Sequence, residues 1–180
     1  MKAFILILTL SIAPRVLADQ HDSRLPALFD ELKATQSEQQ AQQIQVRIWD
    51  IWAEHPDPEI NEKMFFAMDE MGGNQLNLAL ASFTEIIELD PEFAEAWNMR
   101  ATTHFLLGNY RQSLSDIMKT LELEPNHFGA LSGLGMVYVE LDQFFDARNA
   151  LLRALQINPF LPGAESNLQA LDRFFDNTAI

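Results

Sequence analysis

Three tripeptides stand in register along this chain: Leu89-Asp90-Pro91, Leu123-Glu124-Pro125 and Ile157-Asn158-Pro159, each 34 residues from the next. Proline removes a backbone donor and pushes the residue before it out of the helical region, so each mark ends a helix. A fixed period of this length marks a stack of supersecondary units, none of which buries its apolar face without its neighbours. That points to an extended binding surface rather than a catalytic pocket.

Between the marks the pattern is helix, polar turn, helix. Over residues 94–127, Ala94, Trp97, Ala101 and Leu107 carry one apolar stripe at helical spacing. Gly108-Asn109 interrupts it, since both residues tolerate tight-turn backbone. Tyr110, Leu114, Ile117, Met118 and Leu121 form the second stripe, which Pro125 closes. Residues 25–55 read as a further hairpin. Leu25, Leu28, Phe29 and Leu32 lie on one arm; Ile44, Val46, Ile48, Trp49, Ile51 and Trp52 lie on the other. The glutamine-rich stretch 36–45 covers its turn and the start of its second arm. Residues 162–176 hold one more helix with Leu168, Leu171, Phe174 and Phe175.

These residues resemble the tetratricopeptide repeat family, whose pattern sets Trp, Leu-Gly, Tyr, Ala, Phe and Pro at fixed offsets. Residues 128–161 fit it through Leu131, Leu134-Gly135, Tyr138, Phe144, Ala147, Leu151, Ala154 and Pro159. Residues 94–127 fit through Trp97, Ala101, Gly108, Tyr110, Ser113, Ile117, Thr120 and Pro125, and depart at Arg100 and His104. Residues 60–93 fit less fully, through Phe66-Ala67, Asn74, Leu76, Ala79, Phe83 and Pro91, with Lys63 where the family has a large apolar residue. The run from Asp90 to Asn98 is similar to motifs of exported bacterial members. The resemblance implies an all-α fold, a right-handed α-solenoid of stacked antiparallel helix pairs with a C-terminal capping helix. Its expected parts are a degenerate N-terminal hairpin or cap over 19–59, repeats over 60–93, 94–127 and 128–161, and the capping helix over 162–180. Gly135 and Ala147 would let paired helices approach closely, while Trp97 and Tyr138 fill the space between pairs.

In this family the first helix of each pair lines the concave side, at the fifth, ninth and twelfth places of the repeat. Those places hold Met64, Met68 and Met71, then Asn98, Thr102 and Phe105, then Ser132, Met136 and Val139; the capping helix adds Ser166 and Arg173. The lining is apolar and rich in methionine, which suits hydrophobic segments of varied shape. Asn98 is placed to bond a ligand backbone. Some relatives clamp a C-terminal carboxylate with Lys and Arg on this face. The equivalent places here carry Met, Thr, Ser, Phe and Val, so that mode is not expected.

The formal net charge of −14 opposes contact with nucleic acid or an anionic membrane surface. The first 18 residues read as an export signal: a basic Met1-Lys2, an apolar run over 3–13 too short to span a bilayer, and small residues at Val16-Leu17-Ala18. Cleavage after Ala18 removes Lys2 and Arg15 and takes the charge from −14 to −16. With no cysteine, stability rests on helix packing even in an oxidising compartment. No membrane insertion is expected once the signal is removed.

Catalytic and metal chemistry find no support. His21, His55, His104 and His127 include no pair at helical zinc spacing. Gly72-Gly73 reads as a turn between helices rather than a phosphate loop, and no loop of alternating oxygen ligands follows Asp69-Glu70. His104 takes a place that is normally aromatic, so core packing is its expected role. The expected function is a non-catalytic scaffold without cofactor or metal, periplasmic or secreted, that holds an apolar or amphipathic segment of a protein or peptide in its concave groove. The alternative is a self-associating structural module of an envelope complex, a homo-oligomer pairing through Phe174 and Phe175.

Overall fold

A computed structural model describes residues 20–178; the expected export signal lies outside them. Among the described residues there are nine helices and no strand: α1 (Leu25–Ala34), α2 (Glu38–Ala53), α3 (Pro58–Gly72), α4 (Leu76–Leu89), α5 (Ala94–Leu106), α6 (Tyr110–Leu123), α7 (Phe128–Glu140), α8 (Phe144–Ile157) and α9 (Ala164–Thr178). The pairs α3/α4, α5/α6 and α7/α8 stack in series, with α4 on α5, α6 on α7 and α8 on α9. The protein is an all-α solenoid of helix pairs.

The 34-residue register is visible in the backbone at two places per repeat. Within each pair the turn carries a left-handed residue: Asn74, Gly108 and Asp142, at φ 59°, 75° and 57°. The next amide then reaches back to close the first helix, from Gln75 to Glu70 O at 2.8 Å, Asn109 to His104 O at 2.9 Å and Gln143 to Tyr138 O at 2.8 Å. This is how a left-handed residue satisfies the last carbonyls of a helix. Between pairs, Asp90, Glu124 and Asn158 are extended, as residues before proline must be. Each accepts a backbone N–H two residues on: Glu92 at 2.9 Å, Asn126 at 2.8 Å and Phe160 at 3.1 Å. The proline bends the chain, and the oxygen-bearing side chain before it ties the bend.

The cores repeat as well. Phe83, Ile117 and Leu151 occupy one buried layer, and Ala67, Ala101 and Gly135 the close contact facing it. A Cβ on Gly135 would lie 2.7 Å from Leu151 Cγ, so only glycine fits there. The departures in the second repeat have a shared cause. Arg100 forks onto Asp116 through two bonds of 2.7 and 2.8 Å, lies 4.8 Å over the Trp97 ring, and crowds His104, whose Nε2 is 3.9 Å from the same carboxylate. A half-buried, paired cation replaces the apolar residue the pattern calls for.

The hairpin of α1 and α2 does not extend the stack ahead of α3, as a degenerate first repeat or cap would. α1 rests on α8, and α2 on α5. α2 runs as a strap along the turns between repeats. His55, just beyond its end, meets Asp90 at 2.9 Å and packs on Phe93. Trp52 stacks on His127, and Trp49 packs edge-on to His127 and Phe128. Gln45 reaches Asn158 at 3.5 Å. The strap therefore samples the repeat register itself. Its apolar face, including Ala41, Ile48 and Trp52, is buried in one core with Leu32 of α1 and with Phe128, Leu131 and Ala154. At the start of the stack, Lys63 pairs with Glu85 at 2.7 Å, while Phe65 and Phe66 are 68% and 54% exposed.

Candidate binding groove

The first helices of the three pairs, α3, α5 and α7, with α9 continuing the row, set the concave side. The strap packs against the N-terminal ends of α5 and α7, through His55 on Phe93 and Trp49 on His127 and Phe128. A Cβ on Gly129 would fall 2.4 Å from Trp49 Cη2, so glycine is what lets the indole lie on α7. Glu95 and Asn98 are buried. Asn98 Nδ2 donates to Glu95 Oε1 at 3.2 Å, and Glu95 Oε2 accepts from His127 Nε2 at 2.8 Å. The Asn98 Nδ2 is thus held by Glu95, while the residue lines the cleft between α5 and α7.

The methionine stripe divides. Met64 is 2% exposed and belongs to the core of the first pair. Met71 is half-buried against that core, and its sulfur accepts from Thr103 Oγ1 at 3.5 Å. Met68 alone of the three is open, at 42%. Farther along, Thr102 is exposed and Ser132 half-buried.

Phe105, Met136 and Val139 come together. They line a cavity of about 360 Å³ between α7 and α9, with Glu140, Phe144, Leu151, Leu171 and Phe174. Met136 and Phe105 also border a narrower cleft of about 90 Å³ that runs to Asn98 between α5 and α7. From the capping helix, Phe174 lines this cavity and the expected Arg173 does not. Glu140, Phe144, Leu151, Leu171 and Phe174 are among the lining residues not expected here from the sequence. The amphipathic spacing of Leu171 and Phe174 was the available signal.

In size and character this cavity matches a ligand site: concave, mostly apolar, with few polar groups. Its one charged lining residue is Glu140, whose carboxylate accepts a bond from the Tyr110 hydroxyl and so holds the phenol above its usual pKa. A larger cleft of about 690 Å³ lies on the opposite side between α6 and α8. It mixes charges of both signs, with Lys119 already paired to Glu122 at 3.2 Å and Asp146 and Arg153 beside them.

Residues 82–115 match the model of the tetratricopeptide repeat, a window from α4 through α5 into α6. A TPR repeat-containing protein of Rhizobium etli is 40% identical over 114 residues, covering 63% of this chain and 56% of that protein. A Protein SGT1 homolog of Oryza sativa is 33% identical over 95 residues, 53% of this chain and 24% of its own length. The chain thus spans little more than half of the first relative and a quarter of the second. Among solved structures, the first TPR of Spaghetti (RPAP3) bound to an HSP90 peptide superposes with a TM-score of 0.63 at 18% identity, over 65% of this chain and 93% of that one. The Yersinia enterocolitica type III secretion chaperone SycD, in complex with a peptide of the translocator YopD, gives 0.61 at 11% identity, over 64% and 94%. At these identities the likeness is one of fold.

Proposed function

We propose that this chain, whose helix pairs are similar to tetratricopeptide repeats, is a non-catalytic scaffold that holds an apolar or amphipathic segment of another protein in its concave groove. The observation that carries this reading is the apolar cavity formed by Phe105, Met136, Val139 and Phe174 on the concave side. The shared fold supports it: the Spaghetti domain and SycD were each solved with a peptide bound. The mode of recognition differs from that of the acidic HSP90 peptide SRMEEVD, because the lining here offers no cation to a carboxylate. The signal-like residues 1–18 support export to the periplasm or beyond as part of the same proposal.

Met136→Asp and Val139→Asp place a charge in the cavity on positions that are 40% and 36% exposed, so the fold tolerates them. In pull-downs from the protein's own cells, both variants are expected to lose partners that the parent retains, while Met118→Asp on the opposite side keeps them. Unchanged capture by both groove variants would sink the proposal. Export has its own check: intact-mass analysis of the native protein is expected to find a chain beginning at Asp19, and a chain retaining Met1 would refute it.

A further inference from the structure

We infer that the segment held in this groove is cationic: an apolar anchor flanked by Lys or Arg. The inference rests on the groove reading above and adds the sign of the partner's charge. Among the lining residues of the two cavities that Phe105 and Met136 border, Glu140 is the single charged one. It stands exposed at the mouth of the larger cavity, beside apolar Val139. An anchor entering there brings its neighbours up to a carboxylate, with no lining cation to meet an acid. Arg173 on α9 is exposed but lies outside the lining.

The wider field has the same sign. The chain carries 26 acids against 12 Lys and Arg. Several of the bases are already held by acids: Arg24 by Asp22, Arg47 by Glu31, Arg100 by Asp116 and Arg148 by Asp172. Such a surface steers basic segments toward it and repels acidic ones. It also disfavours a second copy of this chain as the occupant, since each copy brings a charge of −14. Apolar contacts supply the depth of binding, and charge supplies the preference.

The test uses three synthetic amphipathic peptides with the same Leu/Phe anchor and flanks of Lys, Gln or Glu, titrated calorimetrically into the full chain. The Lys peptide is expected to bind roughly tenfold more tightly than the Glu peptide, with the preference shrinking as salt rises. Glu140→Lys is expected to narrow it. Met136→Asp separates anchoring from general attraction: it adds a negative charge, so binding by charge alone would strengthen, whereas docking in the cavity weakens at least tenfold. Equal affinity for all three peptides, still lost in Met136→Asp, overturns the charge inference and leaves the groove reading standing. Failure of all three to bind overturns both, as does Lys-peptide binding that Met136→Asp strengthens.

Discussion

The Trp52 indole lies flat on the His127 imidazole, with ring centres 4.0 Å apart and planes 10° from parallel. The imidazole is held from both sides. Its Nδ1 accepts the Ala130 N–H at 3.0 Å, capping α7, so Nε2 carries the proton and donates to Glu95 at 2.8 Å. One residue of a repeat turn thus caps a helix, anchors a buried acid and forms the platform on which the strap rests.

Trp52→Ala is expected to cost about 3–5 kcal/mol, because it empties a site at the centre of the strap–solenoid core. Val46→Ser, on the exposed side of the same helix, is expected to change stability by less than about 0.5 kcal/mol. Urea unfolding followed by circular dichroism measures both. Similar costs for the two would mean that the strap is only loosely docked.

Two glycines on α7 are expected to respond in opposite directions. Gly129→Ala drives a methyl to 2.4 Å from Trp49 and should destabilise by about 1–3 kcal/mol. Gly133→Ala meets only Ile117 Cδ1 at an ordinary 3.7 Å, and should stabilise by about 0.5–1 kcal/mol through helix propensity. Thermal unfolding of the two variants side by side checks the sign of each.

Asp142 holds φ 57° where the second repeat has Gly108 at φ 75°. A side chain in the left-handed region carries a steric cost that glycine lacks. Asp142→Gly should therefore raise stability by about 0.5–1 kcal/mol, and Asp142→Ala should not raise it. Equal stability of the glycine and alanine variants would show that the turn is unstrained.

Burial pushes the His104 imidazole below its ordinary value of 6.5, against the pull of Asp116 and with a further push from Arg100. The folded state resists the proton that the unfolded chain accepts. Its contribution is whole above about pH 6.5, erodes as pH falls through that value, and levels off below the lowered folded value. Chemical unfolding between pH 7.5 and 5 should show this slope in the parent. His104→Gln should flatten it, and an identical slope would assign the effect elsewhere.

Much of the solenoid is legible in the sequence because its local chemistry repeats. Proline after Asp90, Glu124 and Asn158 announces each bend, and Gly108-Asn109 announces a turn. The strap is legible as a hairpin but not in its position. A helix with Ile44, Ile48 and Trp52 on one face shows that it buries that face, not whether the burial is against α3 or along three turns distant in sequence. The contacts that decide the matter, Trp52 on His127 and Gln45 on Asn158, join a face to loops, and loops carry no periodicity. The groove follows the same division. Phe105, Met136 and Val139 lie in the cavity because the second and third pairs keep the repeat's phase. Met64 is buried in the core that α3 forms with α4 and α5, and Asn98 is buried beside Glu95, so neither is as open as its place in the repeat suggests. On α9, Phe174 rather than Arg173 lines the cavity, beside Ala170 and Leu171.

The central claim is that partners dock through the concave cavity and not through the larger cleft on the opposite side. Photo-crosslinking of the full chain in its own cells tests it, with the reactive residue placed at Met136 in one variant and at Met118 in the other, positions 40% and 52% exposed. A discrete crosslinked partner is expected from position 136 and none from 118; crosslinking from 118 with none from 136 would contradict docking in the concave cavity.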